Sequence, residues 1–487
     1  MVGLHLRRDR PRRGLRAGVS RPRRSSSAFH RRGRRAAMGE KQPGALLSER
    51  EGDDGRDDRG HRRGIRASDR REPAPLRGPV RDDLDPRCGQ LRCVERWAFP
   101  HGRARGNRRP SPAIRRAELV RRARATRPER PMSIYRLEPR VQHYAWGSTN
   151  FIPDLLGVDN ADRRPYAELW LGAHPDLPSR ILLEDEKRPL GEMISGELPY
   201  LMKILSAAKP LSIQTHPSEV RAREGFAREN AAGIPIDARH RSYRDPHHKP
   251  ELLCALTDFY ALRGFRPDPT PFGDEPLNTL YAKLMTMSRD EVDAELGPIV
   301  ESLGDGDYGK EDREYWVLRC HAEYSEKGHY DRGLFSIYLL NLIHLEPGEA
   351  IYLDAGTLHA YLEGSGVEIM ANSNNVLRGG LTRKHVDIPE LLNNVVFHGE
   401  AAQILRASKI GPSEWAYRAP VKEFELRRIE GGHVDTGDHG PEILFVTEGE
   451  GTVEEHLVSR GQALFVPEGE TYHVQGSLTL YKATVPR

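Results

Sequence analysis

The segment Gly348–His359 reads GEAIYLDAGTLH: a glycine, five residues, Asp354, one residue, Gly356, two residues and His359. Such a stretch describes a short strand closed by a tight turn, because glycine takes the backbone angles that turns require. The spacing recurs in Gly461–His473, GQALFVPEGETYH, with Pro467 in the slot of Asp354, Gly469 in that of Gly356 and Tyr472 in that of His359. His473 follows one place late, and one place along a strand moves a side chain to the opposite face. The chain thus carries one copy of the pattern ending in histidine and one ending in tyrosine.

This spacing resembles the second conserved motif of the cupins, small β-barrels of the jelly-roll type. There the glycines shape the turns and the final histidine enters the barrel as a metal ligand. The resemblance implies a mainly β protein with two cupin barrels, a metal-holding barrel first and a metal-free one last. His473 is then expected as a partly exposed rim residue.

The surrounding sequence supports strands on both sides. Residues 132–266 alternate short apolar runs with Gly/Pro turns, as in YAELWLGAHPDLPSRILLE, with one short helix expected near Glu219–Asn230. From Pro267 to about Ser336 the pattern turns helical. Ser288 and Glu291 form a capping-box signature, and EDREYWVLRCHAEY and GLFSIYLLNLIHL have helical length and spacing. Strands resume at HLEPGEAIYLD. The expected domains are 132–266 and 337–400 as two parts of a catalytic barrel, 267–336 as a helical insertion and 401–487 as a C-terminal metal-free barrel.

Residues 1–131 differ in kind. They are arginine-rich, contain one lysine and sixteen acidic residues, and lack hydrophobic periodicity. Such a segment cannot bury enough apolar surface to offset its ordering entropy, so it is expected to be disordered or to stem from a mis-assigned start at a position upstream of Met132. Two other readings are a nucleic-acid-binding tail and a transit peptide, against which the acidic content argues. The whole-chain net charge of +4 therefore conceals a strongly positive segment and a negative remainder.

The four cysteines form no CxxC and no disulfide framework, which fits a reducing cytosol. No apolar run approaches the length of a membrane span. The expectation is a cytoplasmic protein with no membrane partner and no nucleic-acid partner.

A metal-holding barrel needs ligands from several strands pointing inward. In LSIQTHPSEV (Leu211–Val220), Ser212, Gln214 and His216 share one face, because side chains alternate along a strand. Gln214 and His216 therefore qualify, as do His359 and Glu251, which follows a proline-containing turn in HHKPELLCAL. Nitrogen and oxygen ligands of this kind suit zinc. With one anionic ligand the ion keeps a formal charge near +1 and can polarise a carbonyl or hydroxyl.

Several longer stretches, VQHYAWGS, LSIQTHPS, DPHHKPELLCAL and GTLHAYLEGSGVEIMANSNNVLRGGLTRKHVDIPELL, resemble the zinc-dependent phosphomannose isomerase family. The resemblance covers nearly all of 132–487. It implies aldose–ketose isomerisation between mannose 6-phosphate and fructose 6-phosphate, serving mannose metabolism or GDP-mannose supply, with one zinc on Gln214, His216, Glu251 and His359. It also implies that Arg378 in NVLRGGLT is catalytic and that the protein is monomeric. Two departures stand out: Asn374 occupies a position where the family commonly has aspartate, and Arg383 one where proline is commoner.

The chemistry asks for a base, stabilisation of an enediolate and a hold on the phosphate. Glu368 is a candidate base, or alternatively the orienting partner of an arginine. Lys249, on the same side of an extended segment as Glu251, is a candidate proton shuttle or phosphate ligand. Arg378 and Lys384 bring positive charge for a phosphate or enediolate, and the Ser212 hydroxyl can donate to a phosphate oxygen. Tyr361, sharing a face with His359, is a candidate sugar contact or a packing residue. Trp146 is a pocket wall or a core residue. The alternative overall reading is a metal cupin that binds a phosphosugar without turnover.

Overall fold

The computed structural model describes residues 134–486, apart from residues 195, 269–270, 305, 327, 432–433 and 437–439; side chains are described except over 432–439. The expectations for residues 1–131 lie outside the described residues. Among the described residues the protein is mainly β, in two sheets of eleven strands each.

The first sheet runs in the order β14 (Leu405–Arg406), β11 (Glu349–Leu353), β8 (Glu251–Ala255), β12 (His359–Ala371), β6 (Tyr200–Ala207), β3 (Glu168–Leu171) and β2 (Arg140–Gln142). Four more strands hang on β12: β7 (Ile213–Thr215) pairs with β12 and β13 (Leu377–Gly380), and β9 (Phe259–Phe265) pairs with β12 and β10 (Leu340–Leu345). The thirteen-residue β12 is the organiser. Its first residues pair with β7 and β9, and from Gly364 onward it pairs with β6 and β8. The two halves fold towards each other across a shared core of Leu205, Leu253, Phe259, Ala261, Ile343 and Tyr361.

The second sheet runs β15 (Ser408–Lys409), β16 (Glu414–Tyr417), β17 (Glu425–Glu430), β22 (Tyr472–Thr484), β19 (Glu442–Val453), β21 (Ala463–Val466), β1 (Tyr135–Glu138), β4 (Arg180–Leu182) and β5 (Lys187–Pro189), with β18 (Val434–Thr436) on β22 and β20 (His456–Ser459) on β19. Strands β1, β4 and β5 of this sheet come from near the start of the described residues, ahead of most strands of the first sheet. Tyr135–Leu137 pair with Phe465–Ala463 and cover the edge of β21 that would otherwise stand open. The two sheets pack face to face through Met202, Ile204, Leu252, Val367 and Ile369 on one side and Leu426, Ile443, Phe445 and Ala483 on the other.

Helix α1 (Phe151–Leu156) follows β2, α2 (Glu219–Ala231) follows β7 and α7 (Ile388–Asn394) follows β13. The expected helical stretch is present as α3 (Leu277–Thr286), α4 (Arg289–Leu303), α5 (Arg313–Tyr324) and α6 (Leu334–Leu339). Ser288 and Glu291 cap α4 reciprocally, as the sequence predicts. One boundary differs. GLFSIYLLNLIHL divides after Leu339, and Leu340–Leu345 form β10 rather than more helix; a continuous apolar run does not distinguish a buried helix from a buried strand. The helices bury Leu280, Leu284, Leu296, Trp316 and Phe335 against Ile213, Leu262, Ala360, Leu362 and Leu377.

The change of partner along β12 is made at Gly364. Its φ is +131°, and a Cβ there would stand 2.6 Å from the Asp258 carbonyl oxygen and 2.7 Å from Phe259 Cα. Gly364→Ala is therefore expected to lower unfolding free energy by about 1–3 kcal/mol, read as a lower urea midpoint with an unchanged m-value.

Candidate metal centre

Strands β7, β8 and β12 deliver their ends to one buried point. His359 lies directly opposite Gln214, and Gln214 lies opposite Arg378 on its other side. Residues opposite one another share a face, so Arg378, Gln214 and His359 form a row, with His216 two places on from Gln214. The polar face of LSIQTHPS thus turns inward: His216 is buried and Gln214 half-buried. Its other face, through Ile213, packs on the helices.

His216 Nε2 lies 3.4 Å from Glu251 Oε2, and His359 Nε2 lies 3.5 Å from the same oxygen. None of these three buried atoms has a hydrogen-bond partner among the described residues. Both rings are held from behind: His216 Nδ1 is 2.7 Å from the Asn375 carbonyl oxygen, and His359 Nδ1 is 2.9 Å from that of Thr357. A carbonyl only accepts, so Nδ1 carries the proton in each ring and Nε2 presents a lone pair. Two lone pairs and one carboxylate oxygen therefore converge. A tetrahedral zinc shell with ligands at about 2.0–2.1 Å has edges of about 3.4 Å, which matches the separation of each imidazole nitrogen from the shared Glu251 oxygen. The donor set and its geometry fit zinc, with an N, N, O core.

The surroundings set the forms of His216 and Glu251 to ones that can bind a metal. Burial pushes the His216 imidazolium down to about 4, so the ring is neutral at pH 7. Burial alone would raise the Glu251 carboxyl, but Lys249 and the two histidines outweigh it and hold the group well below the usual range. Lys249 Nζ is 2.8 Å from Glu251 Oε1, so the expected same-side placement is seen and the lysine holds the carboxylate oxygen that faces away from the histidines.

A second buried group lies beside it. Glu368 Oε2 is 2.9 Å from Lys203 Nζ, and Glu368 Oε1 accepts from Tyr361 OH at 3.0 Å. Lys203 also approaches Glu168 at 3.4 Å, and Glu168 accepts from Trp170 Nε1 at 2.7 Å. Burial raises the Glu368 carboxyl, with Lys203 opposing. The partner of Glu368 is thus a lysine, where the sequence reading offered an arginine. Lys203 and Glu168 escaped that reading. The available signal was a lysine in the middle of the apolar strand YLMKILSA, where an unpaired ammonium is costly.

Arg378 is half-buried on the short strand β13, and Lys384 lies on the loop that follows. Burial and the charge of Arg244 lower the Arg378 guanidinium; burial, Arg378 and Arg244 lower Lys384. Arg244 was not singled out from the sequence either. Ser212 is half-buried immediately before β7, and Trp146 packs against the core of the first sheet. Asn374 donates to Asp176 Oδ2 at 3.2 Å; an aspartate there would set two carboxylates against each other. In the second copy of the turn pattern, Tyr472 is buried and donates to Glu442 Oε2 at 2.5 Å, while His473 is exposed.

The fold and site define a mainly β protein with a buried His–Glu–His set that can hold a metal ion. The chain belongs to the type I phosphomannose isomerase family. The family model of the type I phosphomannose isomerase catalytic domain matches residues 134–268. The mannose-6-phosphate isomerase of Salmonella typhimurium is 39% identical over 378 residues, covering 68% of this chain and 94% of that protein. Mannose-6-phosphate isomerase 1 of Arabidopsis thaliana is 30% identical over 417 residues, covering 72% and 93%. A solved Salmonella typhimurium mannose 6-phosphate isomerase, bound to substrate and to a zinc atom, superimposes with a TM-score of 0.65 at 35% identity, covering 73% of this chain and 100% of that one.

Asn375 is the strut behind this centre. Its side chain accepts from the backbone N–H of Arg244 at 2.7 Å and donates to the carbonyls of Asp245 and His247 at 2.8 and 2.9 Å, while its own carbonyl orients His216. Asn375→Ala is expected to weaken zinc binding about 10- to 100-fold, measured by competition with a chromogenic chelator.

Proposed function

We propose that this chain interconverts D-mannose 6-phosphate and D-fructose 6-phosphate in a zinc-dependent reaction through an enediol(ate). The observation that carries the reading is the convergence of His216, Glu251 and His359 on one point, in a chain of this family, with cations beside it that suit a phosphorylated sugar. A relative solved with substrate and zinc supports turnover over binding alone.

Residue roles follow from chemistry and position. His216, Glu251 and His359 hold the metal, with Gln214 as the fourth ligand from the facing row. Zinc bound there supplies Lewis acidity towards the sugar oxygens. Lys249 fixes the far oxygen of Glu251 and, beside the sugar's reacting end, is placed to move a proton between its oxygens. Glu368, raised by burial, takes the proton from one carbon and returns it to the next, with Lys203 and Tyr361 holding its two oxygens. Arg378 faces the developing oxyanion. Ser212 and Lys384 hold the phosphate, and the Tyr361 hydroxyl, donating to Glu368, accepts from a sugar hydroxyl. We read the chain as a monomer working in the cytoplasm, built from a split catalytic barrel, a helical insertion and a C-terminal barrel.

A coupled assay is expected to show isomerisation of mannose 6-phosphate by the wild type. Arg378→Ala should keep its zinc and lose about 10²-fold or more in kcat; an Arg378→Ala enzyme with full activity would contradict the role. For Glu368 the sign is fixed by its raised pKa: a base must be ionised, so kcat falls as pH drops through a value above the usual carboxylate range. Glu368→Gln is expected to remove that acid limb and to lower kcat by about 10²–10⁴-fold, with zinc content measured at each pH to separate metal loss.

A further inference from the structure

We propose that Arg244 is a further cationic arm of the site that holds the sugar's phosphate, acting with Lys384 and set beside Arg378; the inference rests on the phosphosugar reading above. The cations of the pocket fall into two groups. Lys203 and Lys249 are matched by protein carboxylates, Glu168 and Glu368 for the first and Glu251 for the second. Arg244, Arg378 and Lys384 have no ion pair and no side-chain hydrogen bond among the described residues, although each of the latter two feels the charge of Arg244. Like charges gathered without a counter-ion repel one another, and a dianion among them relieves that repulsion. An incoming phosphate therefore meets the unmatched group, since the charges of Lys203 and Lys249 are already neutralised.

The position of Arg244 is built from both sides. Its backbone N–H donates to Asn375 Oδ1 at 2.7 Å, and Asn375 lies three residues before Arg378. On the preceding side, Glu229 of α2 accepts from the N–H groups of Ser242 and Tyr243 at 3.0 and 2.8 Å. Ser242 Oγ reaches Asp387 Oδ2 at 3.4 Å, and the rings of His240 and His385 meet edge to face at 6.4 Å, which joins this loop to the one carrying Lys384. The backbone is thus fixed while the Arg244 side chain stays exposed. A planar guanidinium with two parallel donors suits two oxygens of one phosphate.

The test uses zinc-loaded full-length enzyme. Arg244→Ala is expected to raise KM for mannose 6-phosphate about 10- to 100-fold, the loss falling chiefly on KM rather than kcat. The apparent inhibition constant of inorganic phosphate should rise in parallel, zinc content should stay at the wild-type value, and Arg244→Lys should recover part of the loss. An unchanged KM and unchanged phosphate inhibition in Arg244→Ala would overturn the proposal. A second measurement separates it from the functional reading: inorganic phosphate should raise the melting temperature of the wild type more than that of Arg244→Ala. Equal shifts would refute the anion site even in an active enzyme. A shift confined to the wild type would uphold it even if mannose 6-phosphate proved not to be isomerised.

Discussion

A carboxylate cut off from water must be matched, and Glu251 is matched by protein on one oxygen only. Lys249 holds Oε1 at 2.8 Å, while Oε2 faces two imidazole nitrogens that themselves lack partners among the described residues. Burying that many polar atoms without compensation costs several kcal/mol, and a divalent ion on all three removes the cost at once. The site therefore depends on this one junction: it gathers His216 and His359 on one carboxylate oxygen, and through Lys249 it fixes the turn that precedes β8.

The fold supplies the junction by letting one long strand serve two sheet halves. β12 begins at His359, carries Tyr361 and, past the turn of partner at Gly364, carries Glu368. An imidazole of the candidate metal set, an aromatic hydroxyl and a buried carboxylate are thus set by a single register. The second sheet contributes from outside. His248, next to Lys249, lies 3.0 Å from Glu423 just ahead of β17, so the turn bearing the lysine is held between the two sheets.

What was legible in the sequence was whatever the local pattern itself determines. The turn spacing of Gly348–His359 and the two-residue spacing of Gln214 and His216 follow from the alternation of a strand, and the structure brings His216, Glu251 and His359 together. The capping box at Ser288 is equally local. What was hidden depends on long-range pairing. Nothing in YRLE announces that β1 will cover β21, which lies near the other end of the chain. Lys203 and Glu168 become meaningful only when Glu368 is laid beside them, and Arg244 only when Asn375 draws its loop to the metal centre. The apolar run around Leu340 failed for a different reason, since a buried helix and a buried strand share its composition.

The central claim is that one zinc, on the buried set of His216, Glu251 and His359, enables the isomerisation. Titrating metal-stripped enzyme with zinc while following conversion of mannose 6-phosphate tests it most directly. The account predicts no activity at zero zinc, a linear rise and a break at one zinc per chain, with Glu251→Gln showing no such tight phase. Full activity in the metal-free enzyme, or an unaltered break in Glu251→Gln, would contradict it.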